Sequence, residues 1–264
     1  MTKEIRKPWD FLDEYRGKEF SGEWPTVPEM FSITVSRFPD RPCFTDFEEK
    51  DGSKQTLSYR QVNEKVIALA SWMKRNGVEK GDRIAVSGKN SPEWGTVFLA
   101  GLFAGAVVCP MDYALHEKEL ENLLSTAKPK FFFIDEEKYK HFSGGTHDFK
   151  VYSLNPKIPE TYVYGLQAEP CVDLHVNVED DLAVILFTSG TTGTPKGVML
   201  THKNLVSDTY IAQTRMYLNE KDVFYALLPI HHAYTMQAVF IESLSVGAEI
   251  VYGKSMAVTR LMKE

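Results

Sequence analysis

Apolar positions along this chain follow two alternating rhythms, one of helical period and one of short unbroken runs. Thr26-Val-Pro-Glu29 is a capping box with a proline in the first turn, and it opens a helix ending near Phe38, before Pro39. Phe31, Val35 and Phe38 then share its buried side. Residues 43–47 and 54–58 read as two strands joined around Asp51-Gly52, a hairpin signal. Ser58-Tyr-Arg-Gln61 is a second capping box, and its helix places Val62, Val66, Leu69 and Met73 on one face and is closed by Gly77.

Strands and helices then alternate. Arg83–Ser87 predicts a strand, Ser91-Pro92 starts a helix to about Ala104, and Ala106–Cys109 predicts another strand. A helix carrying Leu120, Leu123, Leu124 and Ala127 stops at Pro129, and Phe131–Ile134 forms a further strand. Nearly all-apolar strands separated by helices predict an α/β fold of mostly parallel sheets covered by helices on both faces. Residues 136–180, interrupted by Gly144-Gly145, Pro156, Pro159 and Pro170, read as a loop-rich connection with a short strand at Phe149–Ser153. The chain thus divides into an α/β subdomain at 1–135, the connection at 136–180 and a second α/β segment at 181–264.

In that last segment Leu182–Phe187 is a continuous apolar run, followed by a polar loop and a short strand at Val198–Leu200. Thr201 caps a helix through about Tyr217, and Val223–Leu228 is a buried strand. A helix runs to Val246, Gly247 ends it, and Glu249–Tyr252 is the last strand. Residues 260–264 lie in a new helical pattern with no terminator, which reads as truncation.

Composition narrows the classes. The 264 residues are 43% hydrophobic and 25% charged, as in a globular protein with a sizeable core. The net charge of -6 argues against nucleic-acid binding through general positive charge. Cys43, Cys109 and Cys171 are odd in number and far apart, so they read as thiols of a reducing, cytoplasmic compartment, with neither a disulfide frame nor a zinc site. The charged N-terminus shows no secretory signal. Trp94–Met111 is a long uncharged run, but its three glycines and proline fit a buried helix and strand better than a membrane span.

The candidate chemistry lies after the Leu182–Phe187 strand. Thr188, Ser189, Thr191, Thr192 and Thr194 supply hydroxyls, and Gly190 and Gly193 permit positive φ and close backbone approach. Successive N–H groups and hydroxyls form a concave donor surface for phosphate oxygens, beside which Lys196 adds a mobile positive charge. Composition alone leaves open a solvated linker. The lysine, between Pro195 and Gly197, does not fit a Walker loop, and no GxGxxG follows a strand.

The string Thr188-Ser-Gly-Thr-Thr-Gly-Thr-Pro-Lys-Gly197, continuing to His202, resembles the phosphate loop of the adenylate-forming superfamily of acyl-CoA synthetases, luciferases and peptide-synthetase adenylation domains. Leu57-Ser-Tyr-Arg60, Gly81-Asp-Arg-Ile-Ala85 and Gly105-Ala-Val-Val resemble its earlier landmarks in order, and Leu228-Pro-Ile-His-His-Ala-Tyr234 its segment at the acyl and adenylate site. The resemblance, from about Trp24 onward, implies the N-terminal part of that family's large domain. It implies that a carboxylate attacks the α-phosphorus of ATP, giving acyl-adenylate and pyrophosphate, and that coenzyme A then takes the acyl group. Residues 188–197 would hold the β- and γ-phosphates, with Lys196 and Mg²⁺ neutralising charge. The metal's ligands are not identified. His232 would lie near the carboxylate and α-phosphate, Tyr234 would wall the acyl pocket, and His231 would be structural. Without the resemblance, the His-His pair lacks a third metal ligand and Tyr234 reads as core. Cys109, His116 and Phe131–Phe133 read as packing or surface.

The resemblance also places adenine recognition, the magnesium-binding glutamate, the hinge and the C-terminal lysine beyond residue 264, so the chain alone is expected to be inactive. The expected activity is that of a fatty-acyl-CoA ligase. The alternatives are an aryl- or amino-acid-activating enzyme and a non-catalytic nucleotide- or partner-binding module. A core built to pack against further chain would expose apolar surface and leave room for self-association.

Overall fold

The computed structural model describes residues 7–47, 53–171, 173–188 and 195–253. The first helix, α1 (Val27–Arg37), begins where the sequence signal stands. Thr26 Oγ1 accepts from the Glu29 backbone N–H at 3.3 Å, and the Glu29 carboxylate accepts from the Thr26 N–H at 2.6 Å. The strands β1 (Pro42–Phe47) and β2 (Lys54–Ser58) pair antiparallel, while the predicted Asp51-Gly52 turn lies outside the described residues. Ser58 caps α2 (Tyr59–Arg75) with the expected box.

Next come β3 (Arg83–Ser87), α3 (Pro92–Phe103) and β4 (Val107–Met111), then α4 (Glu117–Ala127) and β5 (Phe131–Ile134). The segment expected to be loop-rich contains a helix, α5 (Glu136–Ser143), before β6 (Lys150–Ser153). Polar residues on its outer face hide its signal, since only Phe142 is buried, edge-on to Phe132 at 5.3 Å. The remaining strands are β7 (Leu182–Thr188), β8 (Lys196–Thr201), β9 (Val223–Ala226) and β10 (Glu249–Tyr252). Between β8 and β9 lies α6 (His202–Ala212), which gives way to a 3₁₀ turn at Gln213–Arg215 and so ends short of Tyr217. Between β9 and β10 the chain runs through α7 (Ala233–Thr235), a π-helical stretch Met236–Ile241 and α8 (Glu242–Val246).

These strands form two sheets. The larger has the order β6-β5-β3-β4-β7-β8, parallel except for β8, which returns antiparallel to β7 at the edge. The smaller has the order β2-β1-β10-β9, in which β1, β10 and β9 are parallel. Side chains on the larger sheet alternate between two cores with the period of two that a strand imposes. Ile84, Val86, Val108, Phe131 and Phe133 face one core, and Ala85, Cys109, Phe132 and Ile134 face the other, under Leu120 and Leu124 of α4. Burial on both faces explains why these strands read as unbroken apolar runs.

The helix α3 lies between the two sheets. Trp94 stacks on Phe98 at 5.4 Å, and both meet Phe240 edge-on. A Cβ at Gly95 would lie 2.5 Å from the Tyr252 hydroxyl and 3.0 Å from Phe44, so β1 and β10 press directly on the helix backbone. The uncharged run Trp94–Met111 is therefore a buried helix and strand, and no described helix is long and apolar enough to cross a membrane. Cys43, Cys109 and Cys171 are free thiols, and burial pushes Cys109 up to about 12 and raises Cys43 well above the usual thiol range.

Candidate functional site at the strand ends

The strand β7 ends and β8 begins with Thr188 directly opposite Lys196. The Thr188 hydroxyl reaches toward the Lys196 carbonyl oxygen at 3.5 Å, and both residues are exposed. The predicted phosphate-loop residues Ser189, Gly190, Thr191, Thr192 and Gly193 lie outside the described residues. Their anchors are defined: an antiparallel ladder from Leu182↔Thr201 to Thr188↔Lys196 holds the two ends of that loop side by side. The strand starting at Lys196 is longer than the expected Val198–Leu200, because the ladder extends beyond the apolar residues. Close packing accounts for the glycine after the lysine, since a Cβ at Gly197 would lie 2.7 Å from Ile185 Cγ2.

At its other end β8 runs into α6, where Thr201 caps the helix and His202 turns inward. His202 is fully buried. Its Nδ1 accepts from the Val27 N–H at 3.3 Å, and its Nε2 lies 3.1 Å from the Asn177 amide. Burial holds its imidazole down to about 4, so it is neutral at pH 7. The end of the loop motif is thereby bolted to the first turn of α1.

The predicted histidine pair follows β9. His231 is buried with its ring edge-on to Tyr113, and its Nε2 is 3.4 Å from the Asp112 carboxylate, too poorly aligned to hydrogen bond. Burial is the main cause that lowers its imidazole to about 4, with the Asp112 charge opposing and His232 adding. His232 is exposed, its ring 4.3 Å from that of His231. Its backbone N–H donates to the Pro229 oxygen at 3.1 Å and its oxygen accepts from Met236 at 2.9 Å, so it starts α7. Asp112 is the residue after β4, and β4 neighbours β7, which ends at Thr188. The Asp112, Thr188 and His231 segments thus gather at the C-terminal ends of parallel strands, where open α/β sheets place ligands.

Asn90, which sequence reasoning passed over, holds the histidine segment in place. Its amide nitrogen donates to the Ala226 and Leu228 oxygens at 2.7 and 2.9 Å, and its oxygen accepts from the Ile230 N–H at 2.8 Å. This clamp turns the chain out of β9 after Ala226, two residues before the expected strand end at Leu228. An asparagine beside Ser91-Pro92 carries no local signal of this kind, and only its distant partners reveal the role.

Tyr234 projects from α7 with 71% of its surface exposed. It lines an open cleft of about 660 Å³ between α6 and the helical run that begins at Ala233. Leu200, Leu205, Met236 and Ala238 make its walls mostly apolar, and Asn204, Asp208 and Gln237 add polar groups. Gln237 ties the two walls together, donating to the Leu205 oxygen at 2.8 Å and to Thr209 Oγ1 at 2.6 Å. It lies in the π-helical stretch, a distortion that often marks a functional site. Among the described residues no group of three or more His, Cys, Asp or Glu side chains could hold a metal ion, so none is assigned to magnesium.

Comparison with known proteins bears on this arrangement. The family model described as AMP-binding enzyme matches residues 31–263. A 4-coumarate–CoA ligase of Humulus lupulus is 30% identical over 87% of the chain and 43% of its own length. A long-chain-fatty-acid–CoA ligase of Bacillus subtilis (strain 168) is 27% identical over 93% of the chain and 49% of its own length. The chain thus spans less than half the length of these relatives. Among solved structures, an artificially fused adenylation–PCP di-domain of a peptide synthetase from Klebsiella oxytoca superposes with a TM-score of 0.74 at 25% identity. That match covers 92% of this chain and 45% of the other.

Proposed function

The chain belongs to the AMP-binding enzyme family, whose members here include acid–thiol ligases, and from that premise we propose that a protein carrying it activates an aliphatic acid, fatty acids first, for transfer to coenzyme A. In this reading a carboxylate oxygen attacks the α-phosphorus of ATP, the bond to pyrophosphate breaks, and the thiol of coenzyme A displaces AMP from the acyl-adenylate. Residues 188–197 grip the β- and γ-phosphates, and the Lys196 ammonium offsets charge as pyrophosphate leaves. His232, exposed at the start of α7, orients the carboxylate, and Tyr234 walls the acyl chain. Magnesium bound with ATP would share the neutralisation of phosphate charge.

The observation that carries this reading is the register of the β7–β8 hairpin, which sets Thr188 against the exposed Lys196 at the mouth of the loop. The mostly apolar cleft beside Tyr234 supports an aliphatic tail. Lys196→Ala in the full-length protein is expected to reduce ATP–pyrophosphate exchange by at least about a hundredfold, the scale of losing one donor to developing charge. Undiminished exchange would remove the role given to the loop. A panel of fatty, aryl and amino acids assayed with coenzyme A separates the substrate classes, and the likeness to a 4-coumarate–CoA ligase makes aryl acids the second reading. Residues 1–264 alone are expected to show no exchange; robust exchange by them would overturn that expectation.

The free thiols accord with a cytoplasmic setting. Self-association of the 264-residue chain belongs to the same proposal. Val198 and Met199 on the edge strand β8 are 47% and 64% exposed, beside a ladder edge open to another chain. Sedimentation should show concentration-dependent dimers that Met199→Lys weakens; a monomer at every concentration would count against it.

A further inference from the structure

The cleft beside Tyr234 contains a charge that adenylation does not require. Of its lining residues only Asp208 is charged, and no lysine or arginine is among them. Asp208 lies on the same face of α6 as Asn204 and Leu205, about 9 Å along the helix from its first residue. Leading into that helix, β8 runs away from Lys196, its Leu200 about 14 Å from the lysine along the strand. Ala233, the residue after His232, lines the same cleft as Asp208, so an acid whose carboxylate sits by His232 can place its far end against Asp208.

Nothing in the cleft walls neutralises this carboxylate. Asp208 has no ion pair among the described residues. The Gln237 amide nitrogen is committed to Leu205 and Thr209. A second acid, Glu242, is buried nearby, with its carboxyl pushed up to about 7 by burial, lowered by Gln213 and raised again by the Asp208 charge. In the open cleft water solvates Asp208. An alkyl tail filling the cleft would displace that water and leave a carboxylate against hydrocarbon, an arrangement that is strongly disfavoured unless a partner arrives. A cationic tail would supply the partner. The exposed Tyr234 ring in the opposite wall offers a π face to the same cation.

We infer that Asp208 and Tyr234 select an aliphatic carboxylic acid whose far end carries a positive charge, such as an ammonium or quaternary ammonium group. This rests on the carboxylate-activating reading and narrows its acid class from plain fatty acids to ω-cationic ones.

The test uses matched acids, ω-trimethylammonium alkanoates of increasing chain length and their uncharged tert-butyl isosteres. Binding to the full-length protein is measured by calorimetry and pyrophosphate exchange is measured separately. The cation should bind at least about tenfold tighter than its isostere at the chain length that reaches Asp208, and Asp208→Asn should erase that ratio. Equal binding of the pair, or a ratio unmoved by Asp208→Asn, would overturn the inference. A binding preference for the cation without exchange from any acid would support the inference while removing the adenylation reading.

Discussion

His202 shows how one side chain can join distant parts of the chain and fix its own protonation state. A neutral imidazole has one N–H, and Nδ1 already accepts from Val27, so Nε2 must donate. The Asn177 amide nitrogen stands at Nε2 and its oxygen is unpaired, so turning the amide about its axis pairs both groups, the oxygen accepting the ring N–H. Protonation would destroy the bond to Val27 and bury a charge. With a folded value of about 4 against 6.5 unfolded, the neutral form contributes about 3 kcal/mol that is fully present above pH 6.5. That contribution is lost as pH falls from 6.5 through about 4. Urea midpoints should drop over this window, and His202→Gln should flatten the drop. An unchanged slope in the variant would assign the acid sensitivity elsewhere. Glu242 acts in the opposite sense. Its raised carboxyl favours the folded state below pH 4.5, an advantage lost as pH rises through about 7.

At the scale of elements, the legible parts are those whose causes are local. The capping boxes at Thr26 and Ser58 predicted the starts of α1 and α2, and the apolar runs predicted β3, β5 and β7, because cap chemistry and side-chain period are written within a few residues. The helix α5 escaped because it buries only Phe142, and the π-helical stretch escaped because its apolar pattern matches an ordinary helix. In the candidate site the loop motif and the histidine segment were visible as strings. The Asn90 clamp was not, since its partners lie more than 130 residues away. That clamp carries a prediction. Asn90→Ala removes two buried hydrogen bonds and a partly buried one and leaves the Ile230 N–H unpaired, so it should cost about 3 kcal/mol in chemical denaturation. A loss well under 1 kcal/mol would mean that water replaces the amide and that the segment is held by its packing.

At the scale of the whole molecule, α3 is the common wall of both sheets, and the two sheets cannot shift independently of it. Adding a methyl group at Gly95 would drive Cβ to 2.5 Å from the Tyr252 hydroxyl and 3.0 Å from Phe44 and Phe240. Gly95→Ala should therefore cost about 1–3 kcal/mol despite alanine's better helix propensity. A stabilised variant would show that the sheets are less tightly closed on α3 than these distances imply. The smaller sheet also has an unusual history in sequence. Phe44 of β1 lies beside Ile250 of β10, roughly two hundred residues later. During synthesis at about 5–20 residues per second, β1 would emerge about 10–40 s before the strand that completes its sheet. For that interval its inner edge is an unpaired template beside the ribosome, so nascent chains stalled before β10 should be the ones that recruit chaperones or aggregate.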